Sequence, residues 1–595
     1  MFLRSTTRKK NGKQHRYWSI VENKRCAGGK VVQRPVLYLG EINDQQEASW
    51  QKTIDIFEHG QALPRTVALF PAEQPVHGDE ENVVRIKLAE LALHRPRQWG
   101  ACWLFCQIYG ELGLDGFWKE RLPASRKGTR WDLVFQTLCA YRLIDPGSEW
   151  RLHRQWFEQS AMADLLGEDF NLAAIHKLYD CHNLILKHKT ALFDHLTQRW
   201  KDLFSAKFEV LLYDLTSTYF ESNPPFPEGD KRQHGYSRDK RPDCVQVVIA
   251  LVVTPEGFPL AYEVMRGNTS DKTTLKGFLE KIEKQYGKAQ RIWVMDRGIP
   301  TEETLAEMRA SDPPVLYLVG TPKGRLTKLQ KKLADLPWEQ AREGVDVKLL
   351  DETGELYVLA RSRDRVNKER SMRRRQLKGL WKRLKNMAAM QGIERDELLL
   401  KLGGARKEFP SAWRLAEIQL PSGDQPFAFH LRWHKLREVW RREGRYLLRT
   451  NMPKEAPAKL WEYYLQLVQI EAVFKQLKGD LAIRPIYHQD PDRIEAHIFI
   501  SFLAYCVQAT LSRRLKDLAP GLTARAVLEK MAAMQMIDVH LPTTDARTVI
   551  LTRYTQPEVD QKLLLEKLKM TLPDQPPPKI TTAGSPESDE AVVKT

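Results

Sequence analysis

The chain has 595 residues, 42% of them hydrophobic, with 93 Lys and Arg against 76 Asp and Glu, a formal net charge of +17. That length favours several domains with their own cores, and a cation surplus this large favours a polyanionic partner, because each neutralised phosphate releases condensed counterions. The seven cysteines are scattered, with no Cys-x-x-Cys pair and no Cys/His cluster at zinc spacing, which argues against a disulfide framework and against a zinc finger.

The first residues, Met1 to Lys10, hold no apolar run of signal-peptide type. They are basic instead (Arg4, Arg8, Lys9, Lys10, then Lys13), so contact with DNA backbone and a solvated terminus are both open readings. Residues 14–40 read as a β-hairpin, Arg16–Glu22 and Val31–Leu39 around a Gly28-Gly29 turn, within an N-terminal module over 1–60. Residues 61–205 read as a helical, DNA-binding region, with apolar positions at three- and four-residue spacing in Trp131–Leu143 and Leu184–Phe204. Trp118, Trp150 and Trp156 punctuate it, as core aromatics also would, and no helix-turn-helix stands out.

At 206 the texture changes to strands. Phe208–Asp214 comes first, then Val245–Thr254 and Phe258–Met265 joined at Pro255-Glu-Gly257. An amphipathic helix over Lys272–Tyr286, a short strand at Arg291–Met295, a helix opened by Pro300 and a Thr301 cap, and a strand at Val315–Val319 follow. Three antiparallel-type strands followed by alternating helix and strand is the order of an RNase H-like, mixed five-stranded sheet over 206–325. It would carry Asp214 on its first strand and Asp296 at the end of its fourth.

Residues 326–449 interrupt that pattern as a mixed β/α insertion, with a hairpin at Val345–Leu350 and Leu356–Arg361, a very basic helix over Arg361–Lys385, and strands at Phe427–Trp433 and Tyr446–Thr450. Residues 450–570 return to the α/β core with helices Trp461–Leu481 and Arg493–Leu511. The oily run Ile498–Val507 is too short to span a bilayer and reads as a buried helix. The tail, 571–595, is rich in Pro, Ser, Glu and Asp and reads as disordered. A cytoplasmic protein working on nucleic acid, without a membrane, is the expectation.

Three carboxylates stand out. Asp214 and Asp296 close apolar runs that should be buried up to the charge, where an unpaired carboxylate is expensive. Glu471 is flanked by Leu467, Val468, Ile470 and Phe474 on a helix that is apolar over much of its circumference. Phosphodiester hydrolysis or transfer is served by two Mg²⁺ ions roughly 4 Å apart, which need only hard oxygen ligands. In this reading Asp214 bridges both ions and Asp296 and Glu471 hold one each, with Mn²⁺ able to substitute. Lys475 and Lys478 lie four and seven residues beyond Glu471 and Tyr464 seven before it, one face that could bind the adjacent DNA phosphate.

At this point the chain resembles the DDE transposases of bacterial insertion sequences, in the group similar to insertion sequence four. The group's signature is Tyr, two residues, Arg, three residues, Glu, six residues, Lys; here it runs Tyr464, Leu467, Glu471, Lys478. Leu467 stands where the group has arginine, and Lys475 and Arg484 are the cations that could replace that phosphate contact. Tyr213-Asp-Leu-Thr-Ser-Thr218, Gly235–Gln246, Gly267-Asn-Thr-Ser-Asp271, Asp296-Arg-Gly298 and Arg484-Pro-Ile-Tyr-His488 also match, so the likeness covers about 206–325 and 445–510. The resemblance implies binding of terminal inverted repeats in double-stranded DNA, hydrolysis that frees a 3′-hydroxyl, and transfer of that hydroxyl into target DNA by at least a homodimer at synapsis. It also implies an aromatic in the insertion that grips a flipped base, for which Trp433 and Trp440 are the candidates. A nuclease without strand transfer and a silent DNA-binding repressor are the rival readings, the second opposed by three intact carboxylates.

Overall fold

The computed structural model describes residues 1–10, 13–25, 31–54 except 45, 49, 52 and 53, and 85–581 except 127, 223, 225, 288–290, 297, 322–328, 330, 331, 334, 335, 353, 391, 392, 422–426, 453 and 454. The expected Gly28-Gly29 turn and the tail beyond residue 581 lie outside the described residues.

The N-terminus is a three-stranded antiparallel sheet, β1 (Phe2–Lys10), β2 (Lys13–Arg25) and β3 (Val31–Gly40), in that order. The basic segment is therefore a paired strand, in register from Phe2↔Val21 to Lys10↔Lys13, rather than a loose terminus. Ser5, Thr6 and Thr7 suit that pleat. Trp18, Ile20, Leu37 and Leu39 turn inward and are buried.

The region expected to be helical opens with a strand, β4 (Ala92–Gln98), before helices Gly100–Glu111, Trp131–Ile144, Ile175–Ile185 and Lys189–Phe204. Three of these pack around the later helix Pro491–Leu518. That helix is long and apolar enough to cross a membrane, but 94% of its apolar window is buried inside the fold. Trp118 packs edge-on against Phe135 and Phe499, and Trp156 is also buried, so both are core residues; Trp150 is exposed beneath Arg154.

The central sheet begins with β5 (Val210–Phe220), β6 (Val245–Val253), β7 (Pro259–Arg266), β8 (Ile292–Met295) and β9 (Leu316–Gly320). Their order across the sheet is β7-β6-β5-β8-β9, antiparallel through β5–β6–β7 and parallel through β5–β8–β9. Every residue of β6 is buried, as a strand covered on both faces must be. One face carries Leu211, Tyr213 and Leu215 against helix Leu275–Tyr286, through Phe278 and Ile282. The other carries Leu212 and Val294 in the same cluster as Phe474 and Phe502 of the late helices.

The sheet does not stop at five strands. β10 (Glu339–Arg342), β11 (Val345–Glu352) and β12 (Glu355–Ser362) continue it. A satellite follows, made of helices Arg363–Ala388, Arg395–Glu408 and Trp433–Arg442 and the hairpin β13 (Ala416–Gln419) and β14 (Ala428–Leu431). It has its own small core around Leu380, Leu384, Leu398 and Leu402. β15 (Arg445–Thr450) then returns between β12 and β9, giving nine strands. So part of the segment read as an insertion is continuous with the sheet that bears Asp214.

The expected single helix Trp461–Leu481 is two, Pro457–Leu465 and Leu467–Lys478, divided at Gln466. Near the C-terminus β16 (Gln535–Pro542), β17 (Thr548–Tyr554) and β18 (Lys579–Thr581) join β4 in a second sheet, β18-β17-β16-β4. Arg97 of β4 is fully buried and donates both Nη atoms at 2.9 Å to the Asp538 carboxylate of β16. The stretch 571–581, expected to be disordered, thus contributes a short strand.

Candidate active site

Asp214 and Asp296 come together because two parallel strands deliver them side by side. The β5–β8 ladder runs in register to Tyr213↔Met295, and each aspartate is the next residue. Asp214 does not end its strand, as its apolar run suggested; β5 continues to Phe220, its β-branched and aromatic residues paired with β6. What ends there is β8, so the side chain of Asp214 sits where one neighbour has left the sheet. By the two-residue alternation Asp214 shares the face of Leu212, and this is the face covered by helix Leu467–Lys478.

Burial and the nearby Asp296 carboxylate push Asp214 up to about 7, Asp271 adding to the effect, while the Leu215 N–H, donating at 2.8 Å, and Arg238 oppose it. Asp296 itself is exposed. Two bare carboxylates on such a partly buried floor repel each other, and a bound cation would offset that repulsion. The donors are hard oxygens, as a Mg²⁺-class ion requires. The residues present therefore fit a divalent ion.

A loop unforeseen as part of the site closes over it. Arg238 donates to Asp271 at 2.5 Å, and next to it Asp239 accepts from Lys478 at 2.6 Å and pairs with Arg484. The loop is clamped by Gln246 of β6, whose Nε2 donates to the Tyr236 carbonyl at 3.1 Å and the Gly267 carbonyl at 2.9 Å. A Cβ at Gly235 would overlap the backbone oxygen of Gly267, and one at Gly267 would overlap those of Gln246 and Gln233. The segments Gly235–Gln246 and Gly267–Asp271 are thus the two sides of one clamp. Arg238, Asp239, Gln246 and Asp271 lay in those segments without a role that spacing could have assigned.

Glu471 is exposed on helix Leu467–Lys478, whose buried side is Ile470, Val473, Phe474 and Leu477. Its apolar neighbours are thus mostly the opposite side of the helix, and Val468 is itself exposed. Glu471, Lys475 and Lys478 form one stripe, and the last of them reaches the loop beside Asp214. Among the described residues, no hydrogen bond or ion pair ties Glu471 directly to either aspartate or to the loop. Tyr464 falls on the preceding helix, its ring beside those of Tyr446 and Trp461, so the expected single face from Tyr464 to Lys478 is broken at Gln466. Lys475 is exposed; Lys478 and Arg484 converge on Asp239. Trp433 and Trp440 are 59% and 45% exposed on one helix of the satellite, which settles them as surface rather than core tryptophans.

A family described as the transposase DDE domain matches residues 205–507, just over half of the chain, and one described as the IS1634 family transposase N-terminal domain matches residues 3–59. No curated protein sequence matches. Among solved structures, a cryo-EM structure of the piggyBac transposase synaptic complex with hairpin DNA is similar over 73% of this chain and 78% of that one, at 9% identity and TM-score 0.34. A likeness that distant carries no weight for the site.

Proposed function

The chain belongs to the DDE transposases, DNA-cleaving and strand-transferring enzymes of insertion sequences that work with divalent metal ions, and we propose that Asp214, Asp296 and Glu471 carry this chemistry on an RNase H-like core. The observation that supports it most is the β5–β8 register, which sets two acids from positions 82 residues apart next to each other at the point where β8 ends. Glu471 joins them in this reading through its stripe on the helix, since Lys478, two turns along, reaches Asp239 in the loop beside Asp214.

When bound, a pair of Mg²⁺ ions, or Mn²⁺ in their place, would supply charge stabilisation for the attacking and leaving oxygens of the phosphodiester. The three carboxylates would hold them. Lys475 and the Lys478–Arg484 pair meet the flanking DNA phosphates, with Tyr464 at the edge of that surface. Asp239 keeps Lys478 and Arg484 oriented until a phosphate replaces it as their partner, an exchange of one anion for another that leaves no cation unpaired. The strand to be cut is a terminal inverted repeat, the acceptor is target DNA, and two protomers pair two ends in the cytoplasm of a bacterial host.

The decisive assay joins a precleaved repeat end to a supercoiled plasmid in Mg²⁺. Covalent joined product supports this reading, and nicking without joining would make the enzyme a nuclease.

A further inference from the structure

Away from the aspartate pair, three residues distant in sequence meet in the interior. Glu149 lies in a one-turn helix capped by Ser148, His182 on helix Ile175–Ile185, and His488 in the segment that leads into helix Pro491–Leu518. Their side chains are 7%, 0% and 9% exposed. Glu149 Oε1 stands 3.6 Å from His182 Nε2 and 3.3 Å from His488 Nε2, and one ligand atom from each residue lies within 4.8 Å of the others. Tetrahedral zinc with bonds of about 2.0–2.1 Å holds its ligand atoms roughly 3.4 Å apart, close to the two shorter separations.

A second observation points the same way. Neither ring nitrogen of the fully buried His182 has a hydrogen-bond partner, and its Nε2 faces Glu149 from beyond hydrogen-bond reach. A buried imidazole with both nitrogens unmet is costly, and a metal ion would satisfy the one that faces the carboxylate. Among the described residues no other group of three His, Cys, Asp or Glu meets the same geometric requirement.

We propose that Glu149, His182 and His488 form a buried site for a transition-metal ion, Zn²⁺ by the nature of its ligands, separate from the Mg²⁺-type centre. Two imidazoles and one carboxylate suit zinc and are poor ligands for Mg²⁺, which favours oxygen. Buried Arg142 stands with its Nη2 3.4 Å from Nδ1 of His497, whose ring packs against that of His488, and an anion such as hydroxide in the fourth position would offset this nearby positive charge. The role is that of a brace. The segment carrying His488 also carries Arg484, which pairs with Asp239, and Gln489, which accepts from Arg232 at 2.6 Å. Zinc at Glu149 and His182 would fasten this segment to the N-terminal helices, holding Arg484 from behind.

The test is the metal content of the full-length protein, made without a polyhistidine tag and dialysed in Mg²⁺ buffer. About one zinc per chain should remain, and Co²⁺ in its place should give the visible absorption of a tetrahedral site. The variants E149Q and H182Q should retain at least about tenfold less zinc. Wild-type protein with zinc well below stoichiometric amounts, no cobalt absorption, and no rise in melting temperature on adding Zn²⁺ would overturn the proposal, leaving a His–Glu polar cluster. Undiminished zinc in folded H182Q would overturn it too, since the metal would lie elsewhere. Should a variant fail to fold, the wild-type stoichiometry and the cobalt spectrum decide.

Discussion

Around Asp214 cations are locked in place: Arg238 on Asp271, Lys478 and Arg484 on Asp239, with the two segments that hold these acids clamped together by Gln246. Along helix Arg363–Ala388 the cations divide: Arg365, Arg370, Arg373 and Arg383 pair with acids, while Arg374, Lys378 and Lys382 lie exposed on its surface. Eleven Lys and Arg face two acids there, and only Leu380, Leu384 and Met387 are buried. Side chains in the first region have one geometry each, as in-line chemistry requires. The exposed ones in the second are long and suited to sequence-independent phosphate contact, whose energy comes from counterion release and needs no fixed geometry. One region specifies where a bond is cut; the other holds polyanion near it.

That contrast can be broken first at the carboxylates. D214N, D296N and E471Q should each lower cleavage and strand transfer by about 10²- to 10³-fold or more, with repeat binding retained in a mobility-shift assay. Near-normal excision by E471Q would separate Glu471 from the two aspartates. The clamp comes next. G267A places a methyl group against backbone oxygens that cannot move independently, so it should cost about 1–3 kcal/mol and lower the melting temperature, with cleavage falling alongside. An unchanged melting temperature would mean that the loop is not held as described. The smallest effect belongs to the basic helix. Converting exposed Arg374, Arg375, Lys378 and Lys382 to Gln should leave cleavage chemistry intact and flatten the salt dependence of DNA binding, by about 0.9 in log–log slope for each phosphate that the helix no longer neutralises. An unaltered slope would remove this helix from the DNA surface.

Much of the central sheet was legible because its strands are apolar and bounded by turn residues, so Val245–Thr254, Arg291–Met295 and Val315–Val319 could be placed from sequence, while Phe208–Asp214 caught only the first half of its strand. Local pattern misled where pairing is long-range. Nothing near Ala92–Gln98 announces a partner at Gln535–Pro542, and the buried Arg97 looks like any basic residue until Asp538 is seen beside it. The same blindness hid the clamp, since Gln246 and Gly267 matter through backbone proximity. It also hid Glu149, His182 and His488, whose spacing has nothing of a zinc finger. Helix amphipathicity misplaced the environment of Glu471: Ile470 and Phe474 belong to the buried side of the helix, and the carboxylate, like Val468, is exposed.

The sharing of divalent ions by three acids is reached most directly by iron-directed cleavage of the polypeptide. Fe²⁺ bound in place of Mg²⁺, with ascorbate and peroxide, cuts backbone near its ligands, and the fragments are mapped by mass spectrometry. Cuts should cluster near residues 214, 296 and 471 and fade together as Mg²⁺ is added, while any cuts near 149, 182 and 488 should fade with Zn²⁺ instead. Cuts near 214 and 296 with none near 471, in the presence of repeat DNA, would contradict the shared site.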